Sequence, residues 1–563
     1  MESEVLATEL KATGRDRASF HVCLISLYNS IAPGLRIISA LLKREGYTVD
    51  FVFLHGNLST PDHPDPFTST ERDLLVGLCR ELKPDLIGIG VTSSFLHLLM
   101  RDVVATIRKT IDVPILLGGI HVTIVPERCV DHADYLCIGE GEATIVKLAE
   151  CLRTGNLRAL RDVPGLVYRE DGKVRWNPER CPVKNLDELP YQDIDEAGKY
   201  LLESDRLVEV DPILEQSCYP TYASRGCPFN CSFCSRDLIN DASGLRRAIR
   251  FRSPEHVIGE LEAAKQKCLN MRSVRLWDDT FPTRLSWLRE FTQLYKERVG
   301  LPFEIWLHPK SVRREAVCML KEAGLASVDI GIESGSQRVR REIFNRPEKQ
   351  EDVIATSHVL ADCGIERVTF DLILEHEYER LADKWETLDL LLRLKGSFKL
   401  NMHGLSYLPK TALTERALKD GFITEDELEF VFDGGLEANM LHHRWVKPPR
   451  PNNADARGLI WPRLYFLTQY PFLSPRVIRS IARWASKSKL VAGAVICVVD
   501  MLWGMEEWRP ELEYPGLVQR VRRGGLEPFL RAHPGVVFIG RLILAFVRRV
   551  RRSLIRLEPG RST

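Results

Sequence analysis

The first third of the sequence alternates short apolar runs with amphipathic segments, and this rhythm restricts the fold more than any other feature. Five runs read as strands: residues 21–27, 47–54, 85–91, 113–119 and 133–139. Apolar runs of this length are typical of parallel strands joined by crossover helices. The segment 34–47 has the spacing of such a helix, with Gly46 as its C-cap. The pattern predicts a doubly wound, Rossmann-like α/β domain of five strands over residues 18–160.

The carboxyl ends of these predicted strands carry small and acidic residues. Ligands of doubly wound sheets bind at this edge. Its residues are Ser93, Ser94, Gly118, Gly119, Gly139, Glu140, Gly141 and Glu142. Small side chains let the backbone approach a large flat ligand or its nucleotide tail, although turn glycines without a ligand explain the pattern equally well. No G-x-G-x-x-G follows the first run, so dinucleotide binding is unsupported.

A compact cysteine array follows. Residues 221–235 read TYASRGCPFNCSFCS and place Cys227, Cys231 and Cys234 in the spacing C-x3-C-x2-C. Three such thiolates can ligate three irons of one [4Fe–4S] cube and leave the fourth iron open. Zinc is the alternative, but structural zinc needs four ligands, often from two close pairs, and the chain has no second close pair. The array therefore predicts an iron–sulfur cluster.

The strand–helix pattern resumes after the array. The predicted strands are residues 273–281, 302–308, 327–336, 366–374 and 398–409. Amphipathic segments such as 253–267 lie between them. A repeated βα pattern with polar residues at strand ends fits a partial or complete β/α barrel.

The array, with Phe233 just before its last cysteine, resembles that of the radical S-adenosylmethionine (SAM) enzymes. The preceding domain resembles the cobalamin-binding domain of one large subgroup, so the resemblance covers roughly residues 18–420. It implies three cofactors: a [4Fe–4S] cluster on the three cysteines, SAM on the open iron, and cobalamin at the strand-end residues named above. The SAM contacts that it implies are Phe233, Asp278, Asp279, Glu333 and Ser334. It assigns no catalytic residue.

Two features depart from family patterns. Many relatives follow the fifth strand with a Gly-Leu-Pro-Gly-Glu-Thr-like turn, whereas here Asp371 leads into LILEHEYERLADKW. Contacts in that loop therefore cannot be transferred. Cobalamin-dependent mutases carry an Asp-x-His-x-x-Gly loop after the first strand, but residues 26–34 read SLYNSIAPG. No histidine there can ligate cobalt, as is usual in the radical SAM subgroup, and cobalamin binding rests on the fold resemblance.

The resemblance implies a cobalamin-dependent radical SAM enzyme. In this family SAM is cleaved reductively to methionine and a 5′-deoxyadenosyl radical, which abstracts hydrogen from the substrate, and methylating members then transfer a methyl group through cobalamin. C-methylation of an unactivated carbon is the first expectation. A redox rearrangement or cyclisation, as in the anaerobic Mg-protoporphyrin ester cyclase, is the second. The N-terminal domain could also dock substrate without cobalamin, or the chain could be a cobalamin sensor with a structural cluster.

The cysteine usage and the N-terminus predict a compartment. The first twenty residues contain no apolar signal region, which favours the cytoplasm and cysteines that are thiols or metal ligands rather than disulfides. Cys23, Cys137, Cys318 and Cys363 fall in apolar runs and are expected to be small core residues. His121, a lone strand-end histidine, is expected to be a satisfied structural group.

The predicted domains are residues 18–160, a linker at 161–215, the barrel at 216–420, and a helical, basic and amphipathic region at 421–563. Between Arg531 and Thr563 eight arginines stand against one acidic residue and alternate with apolar residues. This favours a peripheral membrane contact or a lipid-like substrate, with a helical cap on the barrel as the alternative. No run reaches the length of a membrane span.

The expected partners are a small-molecule or lipid-like substrate and a reductant such as flavodoxin or ferredoxin. Nucleic acid is not expected, because the net charge is only +1 and no basic platform with interleaved aromatic residues is visible.

Overall fold

The computed structural model describes residues 17–55, 67–245, 248–434, 460–470, 473–489, 491–493, 495–496 and 499–500. The chain forms two compact units, residues 1–447 and 448–563, and each is described by itself. The first unit holds two large, mostly parallel sheets with their helices.

The first sheet has nine strands in the order β7-β6-β5-β4-β3-β1-β2-β8-β9. The strands are β1 (His21–Leu27), β2 (Thr48–Leu54), β3 (Leu86–Gly90), β4 (Ile115–Gly118), β5 (Tyr135–Cys137), β6 (Leu166–Glu170), β7 (Lys173–Trp176), β8 (Lys199–Glu203) and β9 (Arg206–Glu209). Strands β1 to β5 and β8 are parallel, whereas β6, β7 and β9 run antiparallel to their neighbours. The doubly wound prediction is confirmed for β1 to β5.

Helices cover both faces of this sheet. They are α1 (Pro33–Arg44), α2 (Ser69–Leu82), α3 (His97–Arg108), α4 (Ile120–Ile124) and α5 (Glu142–Thr154). Alternate residues of β1 enter two different buried clusters: Cys23 and Ile25 join residues of α2 and α3, while Val22 and Leu24 join residues of α1 and α5. Burial on both faces explains the nearly continuous apolar runs.

The segment 161–215 differs from the linker that the sequence pattern predicts. It contributes β6 to β9 and so extends both edges of the sheet. Strands β7 and β9 are four residues long and mostly exposed, so they lack the apolar run by which a buried strand is recognised. Two tight connections, at Asp171–Gly172 and Ser204–Asp205, have positive φ angles and close the hairpins.

The second sheet is a six-stranded partial barrel in the order β10-β13-β14-β15-β16-β17. Its strands are β10 (Cys218–Thr221), β13 (Ser273–Leu276), β14 (Phe303–Leu307), β15 (Leu325–Glu333), β16 (Arg367–Leu374) and β17 (Lys399–Gly404), all parallel to their neighbours. A separate two-stranded antiparallel sheet consists of β11 (Ser224–Arg225) and β12 (Arg250–Phe251), with the cysteine array between them in the chain. This confirms the β/α partial barrel.

Helices surround the partial barrel. They are α6 (Arg236–Ala242), α7 (Pro254–Lys267), α8 (Leu285–Leu294), α9 (Arg314–Ala323), α10 (Gln350–Asp362), α11 (Leu381–Leu391), α12 (Ala412–Lys419) and α13 (Glu425–Asp433). Two π-helical turns, Tyr295–Val299 and Val339–Ile343, and 3₁₀ turns at Arg17–Ser19, Ser94–Leu96, Pro126–Arg128, Leu157–Asp162, Leu186–Glu188 and Pro309–Ser311 complete the first unit.

The second unit contains α14 (Ile460–Leu467) and α15 (Pro475–Ala485). Arg463 of α14 is nearly buried and pairs with Asp500 at 2.9 Å. Among the residues that the structure describes, no helix has both the length and the apolar composition needed to cross a membrane. The basic stretch from Arg531 to Thr563 lies outside the described residues, so the predicted membrane contact stays a prediction.

Cys318 and Cys363 are joined in a disulfide, which corrects the expectation that both are core thiols. Cys318 lies on α9 and Cys363 at the C-terminal end of α10, so the bond links two neighbouring outer helices. Both cysteines are only half-buried. Forty-five residues separate them in the sequence, and contact between the two helices is a tertiary feature that no local pattern reveals.

We expect Cys363→Ser to lower the thermal stability of the oxidised protein. Closing a loop of this length is worth about 2–4 kcal/mol, because it restricts the unfolded chain. The measurement is thermal unfolding with and without a reductant, which should remove the difference between variant and parent. Cys181→Ser, at an exposed free thiol, is the matched control. Equal stability of Cys363→Ser and the parent without reductant would show that the bond does not form.

Candidate functional site

The loop between β11 and α6 carries the cysteine array and is held firmly to the barrel. Gly226 opens it with φ +102°, and a Cβ there would lie 2.2 Å from the Ala248 carbonyl oxygen, so only glycine fits. The backbone N–H of Ser232 donates to Phe344 O at 3.0 Å, and the Ser232 carbonyl accepts from Leu413 N at 2.8 Å. These long-range bonds fix where the loop presents its side chains.

Cys227, Cys231 and Cys234 are half-buried free thiols in this loop. Three thiolates on one loop can ligate three irons of one [4Fe–4S] cube and leave the fourth iron open. Burial raises the pKa of Cys227 to about 11 and of Cys231 to about 12, so metal binding must displace protons.

Two aromatic residues of the loop contact the barrel. Phe229 stacks on His308, with ring centroids 3.7 Å apart, just after β14. Phe233, an expected SAM contact, is half-buried and meets the edge of Phe344 at 5.1 Å. Both contacts orient the array toward the carboxyl ends of the barrel strands.

Asp278 and Asp279, the expected SAM contacts after β13, have different partners. Asp278 is buried and accepts hydrogen bonds from Ala223 N at 3.1 Å and from Ser224 Oγ at 2.5 Å. Burial raises its pKa to about 7. Asp279 pairs with Arg236 at 2.6 Å. The two carboxylates thus connect the end of β13 to both sides of the cysteine loop.

Glu333 ends β15 in the left-handed region, with φ +57°. Burial raises its pKa, while its carboxylate accepts a hydrogen bond from Arg346 Nη1 at 3.2 Å. The next residue, Ser334, is buried, and its Oγ accepts from Ser336 N at 3.2 Å. Arg346 also reaches Cys231 Sγ at 3.8 Å. Sequence reasoning did not find Arg346, because it lies thirteen residues beyond Glu333 in a loop without a recognisable spacing.

The barrel interior carries further polar and aromatic side chains that the sequence did not indicate as a group. Trp277 and Trp306, on adjacent strand ends, have centroids 6.3 Å apart, and Trp277 is 43% exposed. Toward the other edge of the sheet, on β16 and β17, Asp371 accepts a hydrogen bond from Asn401 Nδ2 at 2.9 Å. Burial raises the pKa of Asp371 to about 8. The interior thus has two aromatic side chains toward one edge of the sheet and a hydrogen-bonded polar pair toward the other.

The carboxyl edge of the first sheet contains a closed network of hydrogen bonds. Ser93 caps the turn at Ser94–Leu96, and Ser94 Oγ bonds His121 Nδ1 at 3.0 Å. His121 Nε2 in turn bonds His97 Nδ1 at 2.9 Å. Burial lowers the pKa of His121 to about 3 and of His97 to about 4, which keeps both rings neutral. His121 is therefore satisfied, and it holds the Ser94 turn against the start of α4.

The glycines of this edge allow close approach. Gly119 has φ +105°, and a Cβ there would lie 2.6 Å from the Val91 carbonyl oxygen. Gly118 ends β4, and Gly141 precedes α5. Gly139 lies against Ala242 and Ser243, at the end of the helix that follows the cysteine array; its Cβ would be 3.4 Å from Ser243 Oγ.

Glu140 and Glu142 bind arginines of β11 and β12, the two short strands beside the cysteine loop. Glu140 accepts from Arg250 Nη1 at 3.0 Å, and Glu142 accepts from Arg225 Nη1 at 2.7 Å. Although burial opposes ionisation, the arginines hold the pKa of Glu140 below its usual value. The carboxylates of Glu140 and Glu142 therefore connect the first sheet to β11 and β12, which flank the cysteine loop.

An apolar cluster completes this contact. It consists of Ile124 and Val125 at the end of α4, Leu238 and Ile239 of α6, and Phe432 of α13. Helix α6 directly follows Cys234 in the chain. The strand-end edge of the first sheet and the cysteine array of the second are thus neighbours in one unit.

Two family models match the chain. Residues 24–149 match the B12 binding domain, and residues 221–391 match the Radical SAM superfamily. The first range contains the serine and glycine edge, and the second contains the three cysteines together with Glu333 and Arg346.

Curated relatives cover both regions. The chain is 31% identical over 290 residues to an uncharacterised methyltransferase of Pyrococcus horikoshii, covering 50% of this chain and 59% of the relative. It is 29% identical over 372 residues to the cytidylyl-2-hydroxyethylphosphonate methyltransferase of Streptomyces wedmorensis, covering 58% and 65%. It is 28% identical over 343 residues to the anaerobic magnesium-protoporphyrin IX monomethyl ester cyclase of Rubrivivax gelatinosus, covering 58% and 56%. The chain thus spans less than two thirds of each of these relatives.

The fold is similar to that of the cobalamin-dependent S-adenosylmethionine radical enzyme OxsB, solved with aqua-cobalamin and S-adenosylmethionine bound. The TM-score is 0.60 at 15% identity, and the match covers 96% of this chain and 82% of that chain. At this identity the likeness concerns the fold.

Proposed function

Since this chain belongs to the radical SAM enzymes that carry a B12-binding domain, we propose that it is a cobalamin-dependent methyltransferase. Its reaction is the methylation of an unactivated carbon in a small-molecule or lipid-like substrate. A reductant such as flavodoxin or ferredoxin supplies the electron.

One observation carries this proposal: the carboxyl edge of the first sheet lies directly against the segment that follows the cysteine array. Gly139 contacts the end of α6. Glu140 and Glu142 pair with arginines of β12 and β11, beside the cysteine loop. Cofactors bound at these two edges would be close to each other and to one substrate. A docking module without cobalamin would not need its ligand edge at this position.

The residues fit these cofactors as follows. Cys227, Cys231 and Cys234 would hold the cluster, and Phe233, Asp278, Asp279, Glu333 and Ser334 would contact SAM. Ser93, Ser94, Gly118, Gly119, Gly139 and Gly141 would form the cobalamin edge, which Glu140 and Glu142 would orient through their arginines. When bound, the cluster would supply the electron that cleaves SAM, and cobalamin would carry the methyl group.

The barrel interior positions the substrate in this proposal. Trp277 and Trp306 offer an apolar surface to its hydrocarbon part. Asp371 and Asn401 bind its hydroxyl or amino donors from the opposite side. Such a two-sided site fixes which carbon faces the carboxyl ends of the strands, where SAM binds.

Methylation is favoured by the two methyltransferase relatives, while the cyclase relative supports cyclisation as a second candidate. The test is anaerobic incubation of the reconstituted full chain with methyl-labelled SAM, a reductant and candidate substrates. We expect 5′-deoxyadenosine, S-adenosylhomocysteine and a labelled product. Formation of 5′-deoxyadenosine with an unlabelled, oxidised product would favour cyclisation, and the absence of 5′-deoxyadenosine from cluster-loaded protein would contradict both.

Glu333→Gln is expected to weaken SAM binding by roughly 10- to 150-fold, because a hydrogen bond to a charged group contributes about 1.5–3 kcal/mol. Iron content should not change, since the cysteines are intact. Equilibrium binding of SAM to the reconstituted protein measures the effect. Glu342→Gln, at an exposed position of the following turn, is the control. Equal affinity in Glu333→Gln and parent would remove Glu333 from the SAM site.

A further inference from the structure

Arg346 lies at the centre of a buried network beside the cysteine array. Its side chain is 5% exposed. Nε donates to Glu348 at 2.6 Å, and Nη2 donates to the Gly331 carbonyl at 2.5 Å. Nη1 is divided between Glu333 Oε1 at 3.2 Å and Cys231 Sγ at 3.8 Å.

A second layer of contacts holds this guanidinium in place. Glu348 is fully buried, and its carboxylate lies 3.2 Å from His308 Nε2. His308 is the residue that stacks on Phe229 of the cysteine loop. His308 and Arg346 thus contact the cysteine loop at two points, Phe229 and Cys231. A planar donor with several fixed partners cannot turn away from the sulfur without losing other bonds.

The three cysteines differ in their donors. The Cys234 sulfur accepts from the backbone N–H of Arg236 at 3.5 Å, and Cys227 receives the backbone N–H of Phe229. Within the described part of the chain, the cationic side chain that hydrogen-bonds to the array is Arg346, on Cys231. The charge of Arg236 also acts on Cys227 and Cys234, but this arginine is paired with Asp279. A charged N–H directed at a ligating sulfur favours the cluster state with more negative charge, which is the reduced state.

We propose that Arg346 is a positioning residue that raises the reduction potential of the cluster through its hydrogen bond to Cys231 Sγ. This inference rests on the proposed function, since it requires a cluster on the three cysteines. Its consequence is that the cluster accepts an electron from a weaker reductant than it would without Arg346. The same nitrogen contacts Glu333, so the residue also links the cluster to the expected SAM site.

The test is a redox titration, monitored by electron paramagnetic resonance, of the reconstituted full chain without SAM. Arg346→Gln should shift the midpoint potential to more negative values, because the charge and the forked donor are both lost. Arg346→Lys should give a smaller shift in the same direction, because it keeps the charge. Arg341→Gln, which removes an exposed arginine five residues away, should leave the potential unchanged.

Each result decides the matter. A potential equal to that of the parent in both Arg346 variants, at full iron content, would overturn the inference. If Arg346→Gln holds no cluster, the midpoint potential of Arg346→Lys alone is compared with that of the parent. Loss of iron from both variants would overturn the inference and would indicate that Arg346 is needed for cluster assembly. A parent protein without a cluster would reject the proposed function itself.

Discussion

Replacing any one of Cys227, Cys231 and Cys234 by alanine is expected to remove the cluster and all formation of 5′-deoxyadenosine. A cube held by three thiolates has no protein ligand in reserve, so iron should fall from about four per chain to near zero. The cysteines lie on a loop fixed by Gly226 and Ser232, and a neighbouring thiol cannot swing in to replace the missing ligand. Iron analysis and product detection after anaerobic reconstitution measure the effect.

Cys218→Ala is the matched control, because Cys218 is a half-buried free thiol on β10 of the same barrel. It should retain full iron and full SAM cleavage. A single-alanine variant of the array that keeps four irons would show that the array does not hold the cluster, whereas loss of iron in Cys218→Ala would point to a fourth ligand.

Asp211→Ala is expected to destabilise the N-terminal part of the protein by roughly 3–5 kcal/mol, the cost of leaving a buried charge without its partner. Arg36 on α1 and Asp211 are both fully buried and form a bidentate pair with distances of 2.8 and 2.6 Å. The remaining donors of Arg36 reach the carbonyls of Ile31, Ser30 and Asp193. Water cannot take the place of the lost carboxylate, so urea unfolding should begin at a lower concentration.

Asp102→Ala provides the comparison. Asp102 pairs with Arg72 at 2.5 Å, but both side chains are more than one third exposed. Such a pair contributes about 0–1 kcal/mol. Similar unfolding midpoints for the two variants would contradict the account of segment 161–215 as an integral part of the first domain.

The sequence predicted those parts of the fold that repeat locally. Buried parallel strands have nearly continuous apolar runs, so β1 to β5 and five of the six barrel strands could be located from the sequence alone. Strands β7 and β9 are short and mostly exposed, and each pairs with the strand just before it through a tight turn. The segment after β9 is held by a distant partner, since Asp211 pairs with Arg36. That information is not present in a local pattern.

The candidate site divides in the same way. The cysteine array is a spacing motif and could be found from sequence. Glu140 and Glu142 were expected to face a ligand, but the structure pairs them with Arg250 and Arg225, about a hundred residues away. Arg346 escaped notice for the same reason, because its contact with Cys231 spans 115 residues. Residues that act through long-range contacts become visible only in the folded chain.

In the proposed function two cofactor sites lie side by side in this chain, one on each sheet. The most direct measurement is the content of iron and cobalt in the full chain after anaerobic reconstitution with iron, sulfide and cobalamin. We expect about four irons and about one cobalt per chain. Four irons without cobalt would contradict the cobalamin site and methylation with it, and folded protein that binds neither metal would contradict both cofactor sites.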